Sequence, residues 1–220
     1  MIMTTDVIRS LAAAVLFHSV ASLLGQGNEA GTFHVGLGFG VGGHATQFEN
    51  TLTLLGVSQT SSDDGAAITY AVPIQVQVGV ARPISLGIYV EPGAYLDSSA
   101  TRSNGFMIAG LGLRAYIVNK ERFFWMGLLD GGLNNLVIKD RDGSNNEVRD
   151  TYLGGHFRVG TGIAFYFGDR VGLQFAARYA RYNLPLRSRE LNGEEFDLSV
   201  YDARLTTSGL QFDMGLALKF

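Results

Sequence analysis

A histidine within reach of a serine and an acid is the usual arrangement for nucleophilic catalysis, so the histidines are weighed first. The chain has four. His18 falls in an apolar N-terminal run, His34 and His156 alternate with strand formers on a glycine-rich face, and His44 falls in a polar connection. No His–Ser–acid set shares one aliphatic face, and His156 reads as a satisfied interior group. His44 with Asp97 and Ser98 is the remaining arrangement, on connections where such residues are common. The chain has no cysteine, which removes disulfides, thiolate metal sites, a cysteine nucleophile and a lipid anchor on cysteine. The run "DRDGSNNEVRD", 140–150, has oxygens that suit calcium but lacks EF-hand spacing, and reads as a solvated hairpin tip. "GLGFG", 36–40, has no βαβ context and is no nucleotide fingerprint. A net charge of −3 offers nothing to nucleic acid. The expectation is no catalytic residue, no cofactor and no metal.

What remains is charge in a patterned place. Glu91, Arg114, Asp130, Arg158, Arg178 and Asp213 offer both signs and all fall on the face opposite the aliphatic residues. Buried charges must be paired. The order predicts Glu91 with Arg114, Asp130 with Arg158, and Arg178 with Asp213, each pair within one hairpin.

The elements that must position these charges have a period of two, the strand signature. Eight strands are expected, at about 31–42, 68–81, 85–97, 106–118, 123–136, 151–167, 171–182 and 205–220. In "ITYAVPIQVQVGVA", Ile68 to Val80 form one aliphatic face, and Thr69, Gln75, Gln77 and Gly79 the other. The first strand, "GTFHVGLGFGVGG", alternates Val35, Leu37, Phe39 and Val41 with glycines. Connections alternate between longer polar stretches (43–66, 97–105, 137–150, 183–204) and tight turns at "RPIS", "NKER" and "GDR". In 183–204, Phe196, Leu198 and Val200 alternate and predict that the hairpin continues there, as an edge fit for strand addition.

At the N-terminus, Arg9 precedes "LAAAVLFHSVASLL", 11–24, followed by Gly25-Gln26-Gly27. The run has the length of a signal-peptide apolar region and is short for a membrane-spanning helix. Residues 1–27 are expected to be a cleaved export signal and 28–220 a single barrel domain.

Two eight-stranded barrels fit, with opposite polarity. A soluble lipocalin-like barrel buries its aliphatic face; a membrane barrel turns it to lipid. Here the opposite face is rich in glycine, with Gln, Tyr and the six charges, which suits a narrow interior filled by side chains. Aromatics at Phe123–Trp125 and Phe165–Phe167 lie beside short turns, as an interfacial girdle would. The expected fold is therefore an all-β, eight-stranded antiparallel up-and-down transmembrane β-barrel.

With the export signal, the dyad strands, the alternating connections and the ending "LQFDMGLALKF", the chain resembles the small bacterial outer-membrane β-barrels of the OmpA/OmpX-like and "porin family" type. The resemblance covers nearly all of residues 28–220. It implies a bacterial outer-membrane location, with outer-membrane lipid as surroundings and the barrel-assembly machinery as partner. It also implies a C-terminal assembly signal in Phe212, Met214, Leu218 and Phe220. The role it implies is non-enzymatic: envelope integrity, or surface interaction with an extracellular ligand through 43–66 and 183–204. The alternatives are a narrow channel for small solutes or ions, a lipid A-modifying enzyme, and a soluble lipocalin-like carrier.

Overall fold

The structure is a computed structural model that describes residues 27–97, 103–141, 146–199 and 201–220. Residues 1–26 of the expected export signal, with Ser98 and Val200, lie outside the described residues. The strand segments are β1 (Phe33–Leu54), β2 (Val57–Ala71), β3 (Ile74–Ala81), β4 (Ile84–Asp97), β5 (Asn104–Asn119), β6 (Phe123–Arg141), β7 (Glu147–Tyr166), β8 (Val171–Leu191), β9 (Glu194–Glu195) and β10 (Tyr201–Lys219). Every neighbouring pair is antiparallel, and β10 pairs with both β8 and β1, so the sheet closes on itself. The barrel has eight staves, because β2 and β3 are two parts of one stave and β9 only lengthens a hairpin.

The break between β2 and β3 falls at Val72–Pro73, where a continuous strand was expected. Proline has no N–H to give the ladder. Its carbonyl still accepts from the Gly38 N–H at 3.0 Å, and the Val72 N–H donates to the Pro92 carbonyl at 2.9 Å.

The strands run further than the periodicity predicts. Residues 43–66 are not a loop: β1 and β2 stay in register to Leu54 opposite Val57, and only Leu55 and Gly56 turn the chain. Both adopt positive φ, 52° and 80°, the geometry of a two-residue hairpin turn that matches strand twist. Serine and threonine made the stretch look like a loop, yet they pair across the ladder, Thr51 with Thr60 at 3.0 Å and Thr53 with Ser58 at 2.9 Å. The connection 137–150 is likewise largely strand, with Arg141 opposite Glu147. In 183–204, β8 reaches Leu191 and turns through Asn192 and Gly193, both at positive φ. The expected extension reaches Phe196, whose N–H donates to the Arg189 carbonyl at 2.8 Å, but not Leu198: there the chain has left the ladder, and Leu198 packs on the interior cluster. Asp197 accepts from the Ser199 N–H and hydroxyl, and these bonds hold its carboxyl below the ordinary value.

Side-chain exposure follows strand parity. Leu37, Phe39, Ile74, Ile88, Leu111, Leu129, Phe157, Phe175 and Leu216 point outward and are exposed, while Gln75, Glu91, Arg114, Asp130, Arg158 and Arg178 are buried inside. The polarity is that of a membrane barrel and the reverse of a lipocalin's. The same parity divides the aromatic clusters. Phe123, Trp125, Phe165 and Phe167 lie on the outer side, with the Phe123 and Phe165 rings 4.9 Å apart, whereas Phe124 and Tyr166 turn inward. Trp125 donates its indole N–H to Thr161 Oγ1 at 2.8 Å, so the amphipathic ring leaves no donor bare.

The short-turn end of the barrel is closed by residues before β1. Asn28 is fully buried, and its amide N–H₂ donates to the carbonyls of Ala81 (2.8 Å) and Arg82 (3.2 Å). Its backbone N–H donates to Asn119 Oδ1 at 2.7 Å, and Asn119 returns an N–H to the Asn28 carbonyl at 2.8 Å. Asn28→Ala keeps the two backbone bonds with Asn119 but removes the donor of the Ala81 and Arg82 carbonyls, at roughly 1–3 kcal/mol for each buried group left unsatisfied. The expected result is a lower denaturant midpoint in micelles with unchanged strand content by circular dichroism. An unchanged midpoint would show that the cap contributes no stability.

Candidate functional site in the barrel interior

The interior is filled in three layers. At the short-turn end, Tyr116, Phe124, Met126, Leu128 and Tyr166 pack together. His34 sits among them, its Nε2 3.1 Å from Asn28 Oδ1. The Lys219 ammonium lies 5.1 Å from the centre of the Tyr166 ring.

The middle layer holds the charges. Arg158 is 1% exposed and grips Glu91, 2% exposed, with two parallel hydrogen bonds of 2.7 and 2.8 Å. This fork-to-carboxylate geometry is the strongest form of the pair. The same guanidinium lies 3.3 Å from Asp130 and stacks over the Tyr89 ring at 4.6 Å. Arg178 bridges Asp130, at 3.0 Å, to Asp213. Gln211 donates to Asp213 at 2.9 Å, which ties the last acid into the layer. The result is a chain of alternating sign, Glu91–Arg158–Asp130–Arg178–Asp213, across the barrel. Room for it comes partly from β1: a side chain at Gly40 would run into the Asp213 carboxylate.

Five of the six charges expected to share a network therefore meet in one layer. Register explains how. Asp130 and Arg158 are direct partners across β6 and β7, and Arg178 faces Gln211, one position of the same face from Asp213. The expected partnership of Glu91 with Arg114 is not formed. Across β4 and β5, Glu91 faces Ile108 while Arg114 faces Ser85, a full tier nearer the short turns. Glu91 instead reaches across the lumen to Arg158. Arg114 lines a small internal space of about 20 Å³, with Gln75, Leu128, Arg178 and Asp213 on its other sides. That is room for about one water molecule.

The third layer, toward the long hairpins, is apolar, which the face assignment did not foresee. Phe106, Ile108, Leu136, Leu184, Leu186 and Leu205 point inward with Tyr95, Tyr152 and Tyr182. Their parity matches that of the charged residues, and a parity count carried past Gly110 and Asn134 would have found them. Phe106 stacks edge-on against Tyr182 at 5.6 Å.

The histidines are held singly. His44 lies within β1, buried, not in a loop, with Nε2 2.9 Å from Thr69 Oγ1. It is inside the barrel because the expected first connection is strand. His156 is hydrogen-bonded to the Tyr89 hydroxyl. Asp97 ends β4 on the hairpin side. Among the described residues no histidine forms a hydrogen bond to a serine or to an acid. Asp150, from the acidic run, is held by Arg189 through contacts of 2.7 and 2.6 Å. Of the C-terminal residues, Phe212, Met214 and Phe220 are exposed on the outer face and Leu218 is half-buried on the same face.

Neither a protein-family model nor a characterised protein matches the sequence. Solved structures do. The outer membrane protein OprG from Pseudomonas aeruginosa superposes with a TM-score of 0.55 at 14% identity, covering 88% of this chain and 98% of that one. The outer membrane protein AlkL, studied in DMPC bilayers, gives 0.48 at 15% identity, over 88% and 92%. Ail, the attachment invasion locus protein of Yersinia pestis, gives 0.40 at 11%, over 87% and 99%. The fold is that of the small outer-membrane β-barrels.

Proposed function

We propose that this chain, built on the small outer-membrane barrel fold, sits in a bacterial outer membrane and works there as a closed, non-catalytic envelope protein. Export by a cleaved segment over residues 1–27 belongs to this reading. So does insertion by the barrel-assembly machinery, which would read the outward Phe212, Met214, Leu218 and Phe220. The observation that carries it is the filled interior. An aromatic lid, a layer of paired charge and an apolar plug follow one another along the barrel, and an eight-stranded barrel has space for little else. The working surface is then outside. The β1–β2 hairpin stands clear of the barrel, with β2 exposed on both faces from Val57 to Ala66. Over that stretch β2 pairs, among the described residues, with β1 alone, since β4 joins it first at Ala67. An unpaired strand edge of this kind can take a partner strand.

The test is a chain in which residues 47–64 are replaced by an Asn-Gly turn. The barrel should still shift on gels between unheated and boiled samples. Cells carrying it should match a deletion strain in surface binding or in resistance to detergent. A shortened barrel that restores the wild-type phenotype would refute the hairpin as the working surface.

A further inference from the structure

The outer face of the barrel is uneven in charge. On β8 the outward residues from Val171 to Tyr179 are apolar, and the next outward position is Arg181. Nine residues of tilted strand span about 25 Å, the height of the apolar band of such barrels. Arg181 therefore stands where hydrocarbon gives way to headgroups, on the long-hairpin side. On β10 the outward apolar run ends at Leu210, and Ser208, opposite Arg181, opens the polar zone. Asn183 and Thr206, also opposite one another, lie one step above. Arg204 faces Pro185 a further step up, with Arg187 on the adjoining position of β8.

The β8–β10 face thus carries three arginines in two tiers, one at the edge of the apolar band and two roughly 13–20 Å further along the strands. None of the three forms an ion pair with an acid among the described residues. Arg187 donates from Nε to the Leu153 carbonyl at 3.4 Å, which leaves its terminal N–H groups directed elsewhere. Arg204 faces Glu49 of β1 in the ladder without bonding to it. The corresponding outward positions of the other staves are Ala45 and Gln47, Ala66 and Asp64, Ala94, Met107, Asn135, and Gly155. At the level of Arg181 these carry no cation; higher up, Lys139 of β6 and Arg149 of β7 face outward opposite one another, with Arg149 3.6 Å from Glu190.

We propose that the outer face of β8 and β10 binds one phosphorylated saccharolipid of the outer leaflet. Arg181, with Asn183 and Ser208, takes a lipid A phosphate at the apolar edge, and Arg187 with Arg204 takes phosphate on the sugars above. Guanidinium is suited to this work, because its planar fork matches phosphate oxygens and is weakly hydrated. Tyr179, Leu210 and Phe212 below supply the surface for the acyl chains. The inference rests on the outer-membrane reading, but its test is separate from it.

The test is native mass spectrometry of the detergent-purified barrel offered lipid A carrying two phosphates, its dephosphorylated form, a phosphorylated-core lipopolysaccharide, or phosphatidylglycerol. Wild type should retain one diphosphorylated lipid A at least tenfold better than the dephosphorylated form or phosphatidylglycerol. Arg181→Gln should abolish that preference. Arg187→Gln with Arg204→Gln should weaken only the core-bearing lipid, and Glu49→Gln should strengthen it. Lys139→Gln, on β6 two staves from β8, should change nothing. The heated and unheated gel mobilities confirm that each variant is folded, so a loss of lipid is not a loss of barrel. Retention unchanged in Arg181→Gln would overturn the assignment, as would equal retention of phosphatidylglycerol. A barrel that folds in detergent yet binds no saccharolipid refutes this site and leaves the location untouched.

Discussion

Arg158→Met lowers the stability of the folded barrel by about 3–5 kcal/mol, the usual cost of removing one partner from a buried ion pair. The value is large because of what stays behind. Glu91 is 2% exposed and loses both of its charge-assisted bonds, and Asp130 loses one of its two cations. The measurement is the urea midpoint of the barrel in micelles. Arg149→Met is the control: its contact to Glu190 is 3.6 Å long and exposed, and such pairs contribute at most about 1 kcal/mol. Adding Glu91→Gln to Arg158→Met should recover part of the loss, because the stranded carboxylate is gone. Equal midpoints for Arg158→Met and Arg149→Met would mean that the layer does not hold the barrel together.

Gly38→Leu should prevent folding, while Leu37→Val should be nearly silent. The two residues are adjacent and differ only in the side of the wall they face. A Cβ at Gly38 would meet the Met214 carbonyl oxygen at 2.5 Å and the Gly215 Cα at 3.0 Å, both backbone of the strand next door. Backbone cannot swing aside as a side-chain tip can, so the cost exceeds the 1–3 kcal/mol usual for an overpacked core. Leu37 is 50% exposed on the outer face, and valine keeps that face apolar. Refolding yield, read from the heat-dependent gel shift, separates the two. Similar yields would reverse the assignment of inside and outside.

Both predictions rest on parity, and parity is what a strand sequence states most clearly. Eight staves, their order, the short turns and the direction of Leu37, Phe39, Glu91, Asp130 and Arg158 were all legible. Where the sequence misled, the cause lies in one of three places. Composition was mistaken for conformation in 43–66, where threonine and serine suggested a loop, yet threonine is a good strand former and both pair across strands by hydroxyl. The positive-φ turns at Leu55-Gly56 and Asn192-Gly193 were there to be read; the second is a favoured hairpin dipeptide.

Register was the second. Sequence order makes Glu91 and Arg114 neighbours within one hairpin, but only the pairing of β4 with β5 reveals that they face different tiers. Glu91 belongs with Arg158 because the barrel closes and brings β4 opposite β7. No local pattern encodes a contact across a lumen. The third was the apolar plug. Phe106, Ile108 and Leu136 stand on the glycine-rich face, which was read as polar and did not include them. A membrane barrel interior is polar where water reaches it. Where the interior is sealed, it packs like a soluble core, and Leu136 and Leu184 are as fully buried as such residues become.

On the proposed reading, buried charge and aromatic packing close this barrel from end to end. Single-barrel recording in a planar lipid bilayer tests it most directly. A closed barrel leaves the membrane silent at all modest voltages after insertion has been confirmed by protease protection of the barrel. Stable, repeated conductance steps from the folded wild-type chain would contradict it.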